Sequence, residues 1–344
     1  MKALYLESIG NLSIRDFQEE MVLGDADLEI EIKRVGICAS DVHYYTHGRI
    51  GQFIVEKPMV LGHEAAGIVK RVGSSVTDFK VGDRVCMEPG IPDFKSKTAL
   101  IGKYNLDPTL TFWATPPIHG CMRETVIHPS CLTFKLPDHV SFGEGAMIEP
   151  LSIGMQVATM ANFKPGDIAL VMGCGTIGLM CALSALAGGC AKVMIADLVE
   201  TKLDIARRFD GLVPVNITKE NLEDVVMQHT GGWGADVVME ASGSAKVYPD
   251  FVKYCAPAGK FVIAGIPSDP VPIDIAQMLT KEVNLVAINR YCNVYDRAVN
   301  LVASGKIDVA SMIGKVYDFD DSIEAYEYVA KGGSGEVKVQ ISLE

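Results

Sequence analysis

Polar and apolar side chains alternate over short stretches in the first 150 or so residues. Residues 28–33 place leucine and isoleucine between glutamate and lysine, which is the pattern of a strand with one buried face. Turn-forming pairs such as Gly10-Asn11 and Gly24-Asp25 recur between such stretches. Short strands with closely spaced turns predict an antiparallel barrel or sandwich.

From about residue 151 onward, continuous apolar runs alternate with amphipathic stretches. Residues 167–172 predict a buried parallel strand, a glycine-rich turn follows at 173–178, and residues 179–187 predict a helix. Further strands are predicted at 192–197, 212–215, 235–240, 259–265 and 283–288, with helices near 222–229 and 245–254. Six strands separated by helices predict a doubly wound parallel sheet.

The last part of the chain predicts a helix over 295–303 and a strand over 337–343 that rejoins the first segment. A chain of 344 residues is longer than one hydrophobic core usually supports. We therefore predict two domains of an α/β protein, one formed by residues 1–152 with 289–344 and the other by residues 153–288.

Composition narrows the class of protein and its surroundings. The chain is 49% apolar and 22% charged, which is ordinary for a globular α/β protein, and its net charge of -12 argues against binding to nucleic acid or anionic membranes. We expect a small-molecule substrate instead. Nine cysteines without a C-x-x-C pair, and an N-terminus without a signal-peptide apolar run, predict reduced thiols and a cytoplasmic location.

The stretch Gly62-His63-Glu64 places two polar side chains after an apolar run. Ionised carboxylates are rarely buried unless they are paired or bind a metal. With Cys38, twenty-five positions before His63, these side chains form a set of thiolate, imidazole and carboxylate that suits zinc. Taken singly, each has a plainer explanation, because a lone cysteine usually fills a core and His63 could be an ordinary interior histidine.

Regular strands point adjacent side chains to opposite faces, so His63 and Glu64 could not both face one metal from such a strand. Gly62 offers the backbone freedom to break that alternation. Asp41 is a candidate to accept the second N–H of a ligating imidazole. Ser40 and His43 could carry a proton to water, although His43 fits an ordinary surface histidine equally well.

The glycine-rich turn matches the dinucleotide pattern G-x-G-x-x-G between a strand and a helix. Asp197 ends the next strand nineteen residues beyond Gly178, where an acid binds the ribose hydroxyls and repels the 2′-phosphate of NADP. We therefore predict NAD as cofactor, with a purely structural βαβ unit as the alternative. The predicted cofactor residues are Gly173, Gly175, Thr176, Ile177, Gly178, Asp197, Lys202, Ser242, Gly265 and Ile266.

Several motifs together resemble one known family. They are Cys38-x-Ser40-Asp41-x-His43-Tyr44, Gly62-His63-Glu64, Ala114-Thr115-Pro116-Pro117 and Glu149-Pro150. This set is similar to the zinc-containing medium-chain dehydrogenases, in particular their polyol branch, and the similarity runs along nearly the whole chain. The resemblance implies a GroES-like antiparallel β-barrel catalytic domain joined to a Rossmann NAD-binding domain, and a homotetramer assembled through the cofactor domain.

The resemblance also implies roles for individual residues. Cys38, His63 and Glu64 are expected to bind the catalytic zinc, and Glu149 to complete its coordination directly or through water. Lys202 is expected beside the adenosine ribose, which makes weak use of NADP conceivable. The residues expected to line the substrate pocket are Tyr44, Phe112, Thr115, Arg290 and Tyr291. For Arg290, a structural ion pair with Glu149 or another carboxylate is an equally good explanation.

One departure from the family pattern concerns a second, structural zinc. Laid against that pattern, the four cysteine positions hold Asp93, Ser96, Ala99 and Asp107. These side chains cannot form a tetrathiolate site, so we predict one zinc per chain. Either local packing replaces the lost metal, or the lobe over residues 92–108 is more mobile.

The expected reaction is zinc-dependent oxidation of a secondary hydroxyl of a polyol to a ketose, with hydride transfer to NAD. Xylitol to D-xylulose and sorbitol to D-fructose are the leading candidates, with the proton leaving through Ser40, His43 or a water held by Glu149. Two alternatives stay open. One is oxidation of L-threonine or a simple secondary alcohol on the same frame, and the other is a dinucleotide-binding protein without catalytic activity.

Overall fold

The computed structural model describes residues 1–267 and 269–344. The chain packs as two compact units. Unit 1 comprises Met1–Glu149 and Tyr295–Glu344, and unit 2 comprises Pro150–Val294. The unit borders lie within a few residues of the predicted domain borders at 152/153 and 288/289.

Unit 1 consists mainly of strands. Numbered along the whole chain, they are β1 (Lys2–Ser8), β2 (Asn11–Asp16), β3 (Asp27–Gly36), β4 (Arg49–Ile50), β5 (Phe53–Ile54), β6 (Met59–Val60), β7 (Glu64–Val72), β8 (Arg84–Met87), β9 (Gly90–Ile91), β10 (Thr111–Phe112), β11 (Thr125–Pro129), β12 (Thr133–Lys135), and later β19 (Ile313–Asp318) and β20 (Lys338–Ser342). Its helices are α1 (Ala39–His47), α2 (Lys97–Leu100), α3 (Phe142–Ala146), α10 (Tyr295–Ala303) and α11 (Ser322–Ala330), and α4 (Ile148–Ala161) continues into unit 2.

The main sheet of unit 1 has the strand order β12-β8-β7-β3-β20-β19, and β11 also pairs with β3. All of these pairs are antiparallel except β19 with β20. On β3, Leu28, Ile30 and Ile32 are fully buried while the residues between them are partly exposed, as the alternating pattern predicts. These side chains belong to the main apolar cluster of unit 1.

Unit 2 is built on a six-stranded sheet. Its strands are β13 (Ile168–Met172), β14 (Lys192–Asp197), β15 (Leu212–Asn216), β16 (Ala235–Glu240), β17 (Cys255–Ile263) and β18 (Asn284–Ala287), and its further helices are α5 (Thr176–Ala187), α6 (Glu200–Ala206), α7 (Leu222–Thr230), α8 (Phe251–Tyr254) and α9 (Ile275–Lys281). The strands are all parallel, in the order β15-β14-β13-β16-β17-β18. The antiparallel unit and this doubly wound sheet confirm the predicted fold class.

One predicted helix of unit 2 is broken in the structure. Instead of one helix over 245–254, a 3₁₀ turn at Ala245–Val247 precedes the short α8. Pro249 lies between the two, and a proline inside a helix lacks the N–H group that the helix needs. β17 begins directly after α8, at Cys255, four residues earlier than predicted.

Hydrogen bonds hold the lobe over residues 92–108, where the family pattern would have four cysteines. The buried carboxylate of Asp107 accepts the backbone N–H of Asp93 at 2.6 Å and the backbone N–H and hydroxyl of Thr109, both at 2.9 Å. The Ser96 hydroxyl caps α2 by accepting the N–H of Ala99 at 3.1 Å. Local hydrogen bonds thus join these positions in two pairs, Asp93 with Asp107 and Ser96 with Ala99.

A second buried carboxylate, Glu88, ties this lobe to the end of β8. The hydroxyl of Tyr104 donates a hydrogen bond to Glu88 Oε1 at 2.8 Å. Burial raises the pKa of Glu88 to about 8, and the negative charge of Glu149 adds to the effect.

Among the described helices, none combines the length and the apolar character that crossing a bilayer requires.

We expect the substitution Asp107→Ala to loosen the lobe over residues 92–108. It removes a charged acceptor and leaves two backbone N–H groups without their partner, at a cost of about 2 kcal/mol. Limited proteolysis should therefore cleave this lobe faster in the variant. Asp93→Ala is the matched control, since that side chain accepts only the backbone N–H of Lys95 at an exposed site. Equal cleavage rates in the two variants would contradict the structural role of Asp107.

Glu88 predicts that stability falls as the pH rises. The carboxyl group has a pKa near 4.5 in the unfolded chain and about 8 in the folded protein, so it releases its proton at a lower pH in the unfolded chain. The folded state therefore holds the extra proton between these values, and its advantage is lost as the pH rises through that window. Between pH 6.5 and 9, the apparent Tm of the wild-type protein should fall on the order of 5 °C more than that of Glu88→Gln. If the Tm values of the two proteins fell equally with pH, Glu88 would not titrate in this range.

Candidate metal centre and dinucleotide site

Strand register brings the three candidate metal ligands together in unit 1. The antiparallel pairing of β3 with β7 ends where Gly36 lies opposite Glu64. Cys38 follows β3 as the N-cap of α1, and His63 immediately precedes β7. Two segments that are distant in sequence thus end their pairing at one place, which puts Cys38 beside His63 and Glu64.

Glycines on both sides give the room and the backbone geometry that this junction needs. Gly62 has φ +88°, a conformation that side-chain-bearing residues rarely adopt, and it breaks the strand alternation just before His63. The backbone freedom predicted at Gly62 is therefore confirmed. Across the pair, a Cβ atom at Gly36 would overlap the carboxylate of Glu64.

The ligand atoms of Cys38, His63 and Glu64 all lie within 4.8 Å of one another. His63 is 6% exposed and Glu64 is 1% exposed, while Cys38 is partly exposed. The cluster thus has a buried side and a side open toward solvent or a ligand. One sulfur, one imidazole nitrogen and one carboxylate oxygen at this spacing are a donor set that suits zinc.

Behind His63 lies the fully buried carboxylate of Asp41, on the first turn of α1. His63 Nδ1 is 3.4 Å from Asp41 Oδ1, an ion-pair distance outside hydrogen-bond geometry. Burial acts to lower the pKa of His63, but the charges of Asp41 and Cys38 outweigh burial and raise that pKa well above its ordinary value. An imidazole held among anionic groups fits a site built for a cation.

Lys338 is the residue of this centre that the sequence interpretation missed. It lies on β20, is almost fully buried, and its Nζ donates to the two oxygens of Glu64 at 2.8 and 2.7 Å and to the backbone oxygen of Ile37 at 3.2 Å. Burial acts to lower the pKa of Lys338, but Glu64 and Cys38 outweigh it, so that this pKa is raised. A lysine between two valines of a closing strand was the available signal, because buried lysines need an anionic partner.

The three predicted catalytic residues lie on two helices, α1 and α4. Glu149 is buried in the first turn of α4 and is not among the three side chains whose ligand atoms lie within 4.8 Å of one another. Ser40 and His43 both lie on α1, with Ser40 partly exposed and His43 exposed. His43 stacks on His47, with ring centroids 4.4 Å apart. Burial and the nearby His47 lower the pKa of His43, which favours a neutral ring.

Of the predicted substrate residues, Phe112 is next to the metal cluster. Its ring centroid is 5.5 Å from that of His63. Tyr44 is buried on α1, and Thr115 is partly buried in the loop after β10. Arg290 and the buried Tyr291 belong to unit 2 and follow β18. Arg290 has φ +52°, a strained conformation for a residue with a side chain.

The dinucleotide motif forms the turn between β13 and α5 of unit 2. Gly173 has φ +105°, and Gly178 has no room for a Cβ atom because the carbonyl oxygen of Gly173 occupies that space. Gly175 is the N-cap of α5, so the first N–H groups of this helix follow the glycines directly. A helix N-terminus reached through glycines is a suitable site for a pyrophosphate.

Asp197 ends the neighbouring strand β14 and fixes the same turn. Its Oδ2 accepts the backbone N–H of Cys174 at 2.7 Å, and its Oδ1 accepts that of Val199 at 2.9 Å. Lys202 is partly buried on the following helix α6, and its backbone oxygen accepts the thiol of Cys174 at 3.4 Å. The glycine turn, the acid and the lysine thus form one contiguous group.

Thr176 and Ile177 are the first two residues of α5, and the other three predicted cofactor residues lie at the carboxyl ends of β16 and β17. The chain passes from β13 through β14 to β15 and then returns to the other side of β13 with β16, so the order reverses between β13 and β16. Ligands of open α/β sheets bind at such a point. Ser242 follows β16 there, and Gly265 and the exposed Ile266 follow β17.

Comparisons with known proteins agree with this architecture. Residues 24–138 match the family model described as the alcohol dehydrogenase GroES-like domain, and residues 176–304 match the one described as zinc-binding dehydrogenase.

The D-xylulose reductase of Morganella morganii is 54% identical over 332 residues, which are 96% of this chain and 98% of that protein. The D-xylulose reductase of Saccharomyces cerevisiae is 40% identical, with 95% of this chain and 93% of that protein covered. The crystal structure of 2R,3R-butanediol dehydrogenase from Bacillus subtilis superposes with a TM-score of 0.90 at 29% identity, covering 100% of this chain and 99% of the other. The chain therefore belongs to the zinc-containing medium-chain dehydrogenases, and within them to the polyol dehydrogenases.

Proposed function

We propose that this enzyme interconverts xylitol and D-xylulose, using NAD and one zinc ion per chain. The observation that carries the proposal is the buried cluster of Cys38, His63 and Glu64 in a chain that is 54% identical to a D-xylulose reductase over almost its full length. Sorbitol and D-fructose are the second substrate pair, because a hexitol offers the same arrangement of neighbouring secondary hydroxyl groups.

In this proposal Cys38, His63 and Glu64 hold the metal, and Glu149 approaches it directly or through water. Bound zinc supplies a Lewis acid that makes a secondary hydroxyl group acidic near neutral pH. Asp41 orients His63 by attracting its Nδ1 side, and Lys338 compensates the charge of Glu64 in the buried junction.

The proton of the substrate hydroxyl leaves through the side chains around the cluster. Ser40 and His43 lie three residues apart on α1, the helix that Cys38 caps, with Ser40 partly exposed and His43 exposed. The lowered pKa of His43 keeps its ring neutral near pH 7 and able to accept a proton. A water held by Glu149 is the alternative route.

For the cofactor, Asp197 supports NAD over NADP. Each of its oxygens accepts one backbone N–H and has a second lone pair for a ribose hydroxyl. A 2′-phosphate at this position would meet a carboxylate, while the nearby Lys202 leaves weak use of NADP open.

Phe112, Tyr44 and Thr115 are proposed as the pocket wall around the substrate, with Phe112 closest to His63. Arg290 and Tyr291 are proposed as donors to the additional hydroxyl groups of a polyol, which a simple secondary alcohol lacks.

Oxidation of L-threonine or a simple alcohol is the competing function. Rates of oxidation across pentitols, hexitols, L-threonine and 2-propanol distinguish it from polyol oxidation.

We further propose a cytoplasmic homotetramer. The structure joins none of the nine cysteines, all of them described, in a disulfide, which suits a reducing compartment. Among the described strands, β18 pairs with β17 alone and forms an edge of the sheet, and this edge is the proposed place of pairing with a second copy.

We expect metal analysis to find one zinc ion per chain in the wild-type protein. Cys38→Ser should reduce that content at least tenfold, because a hydroxyl group is a poor zinc ligand. Cys131→Ser is the matched control, since it changes an exposed free thiol and should keep the full content. Two firmly bound zinc ions per chain, or full zinc in Cys38→Ser, would contradict the assigned metal site.

The cofactor assignment predicts that Asp197→Ser reduces the preference for NAD over NADP about tenfold, because the repulsion of the 2′-phosphate is lost. The preference is measured as the ratio of kcat/KM values with xylitol as substrate. Asp204→Ser, which removes an exposed carboxylate from α6, should leave the ratio unchanged. An unchanged ratio in Asp197→Ser would show that another residue selects the cofactor.

A further inference from the structure

A fully buried carboxylate lies at the carboxyl end of β16 in unit 2. Glu240 is the last residue of this strand and is 0% exposed. Burial of an ionised side chain is costly unless hydrogen bonds compensate it. None of the functional features described above explains why an acid occupies this position.

The carboxylate of Glu240 binds the loop that follows it. Its Oε1 accepts the backbone N–H and the hydroxyl of Ser242 at 2.7 and 2.6 Å, and the backbone N–H of Gly243 at 2.9 Å. Three donors that meet one oxygen fix the path of this loop, and hydrogen bonds to a charged acceptor are stronger than neutral ones.

The backbone of Glu240 binds the loop after the next strand. Its carbonyl oxygen accepts the N–H groups of Ala264 and Gly265 at 2.8 and 3.0 Å. Gly265 is in such close contact that a Cβ atom there would overlap the Glu240 carboxylate. On the other side, a Cβ atom at Gly173 would approach Ser242 to 2.9 Å. The loops after β13, β16 and β17 therefore meet around this one residue.

The strand order assigns these loops to one half of the cofactor. Asp197 ends β14 and the glycine turn follows β13, so the adenosine and the pyrophosphate belong to that side of the sheet. A dinucleotide lies across the point where the strand order reverses, and its second nucleotide then extends over the ends of β16 and β17. Ser242, Gly243 and Gly265 lie at those ends.

We propose that Glu240 is a positioning residue for the nicotinamide half of the dinucleotide, an inference that rests on the cofactor assignment made above. Its carboxylate holds Ser242 and Gly243, and its carbonyl group holds Gly265, in the conformation that receives the nicotinamide ring. Glu240 itself does not contact the cofactor. The adenosine half is held by the separate group around Asp197.

The test compares two ligands that share the adenosine half. NADH contains both nucleotides, whereas ADP-ribose lacks the nicotinamide ring. In Glu240→Gln, which keeps the size of the side chain and removes its charge, the Kd of NADH should rise about tenfold while that of ADP-ribose stays within twofold of the wild type. Titration calorimetry on the full-length zinc-loaded protein measures both dissociation constants. A purely structural defect would weaken the binding of both ligands together.

Asp236→Asn is the matched control, because Asp236 lies at the opposite end of the same strand. Its Oδ2 accepts the backbone N–H of Ile168 at 2.9 Å, so the variant also removes a charge that links two strands. It should leave both dissociation constants unchanged. If Glu240→Gln does not fold, Glu240→Asp retains the charge on a shorter side chain and should show the same selective loss, about threefold.

The possible results separate the two levels of the proposal. If the wild type binds both ligands and the Glu240 variants bind them with the same affinities, the role of Glu240 is overturned. The cofactor assignment then still stands. An equal loss of affinity for both ligands would also overturn the role of Glu240, since the effect would not be confined to the nicotinamide half. Failure of the wild-type protein to bind NADH or ADP-ribose would instead contradict the cofactor assignment.

Discussion

The metal cluster of unit 1 depends on one buried ion pair, between Lys338 and Glu64. Both side chains are almost fully buried, and the ammonium group lies within 2.8 Å of each oxygen of the carboxylate. Without this partner, the charge of the Glu64 carboxylate would be buried without compensation in the junction of β3 and β7, which is costly. The pair therefore allows Glu64 to lie buried next to Cys38 and His63.

Unit 2 solves a similar problem with backbone donors instead of an ammonium group. Asp197 accepts N–H groups from the glycine turn and from its own loop, and Glu240 accepts them from Ser242 and Gly243. In each case the hydrogen bonds that compensate the charge also fix a loop at the carboxyl end of a strand. The same hydrogen bonds thus compensate the buried charge of the acid and fix the shape of the loop.

Local patterns were sufficient for much of the fold and for part of the site. The runs of apolar residues predicted β13, β14 and β16 closely, and the glycine at position 62 predicted the break before His63. The role of Lys338 could not be predicted in this way, because it pairs with a residue 274 positions away. Pro249 was a local signal for the break in the helix predicted at 245–254, and the prediction did not take it into account.

The charges around the metal cluster explain why its residues fit a divalent cation. Cys38 and the carboxylates of Glu64 and Asp41 lie close to His63, and the ammonium group of Lys338 interacts with Glu64 and with the buried Glu149. In the absence of a cation, the charges of Asp41 and Cys38 raise the pKa of His63 despite its burial. A divalent ion bound at the cluster would take the place of the proton that these charges favour on His63. Metal binding must therefore displace protons from the cluster, which makes the affinity for zinc rise with pH.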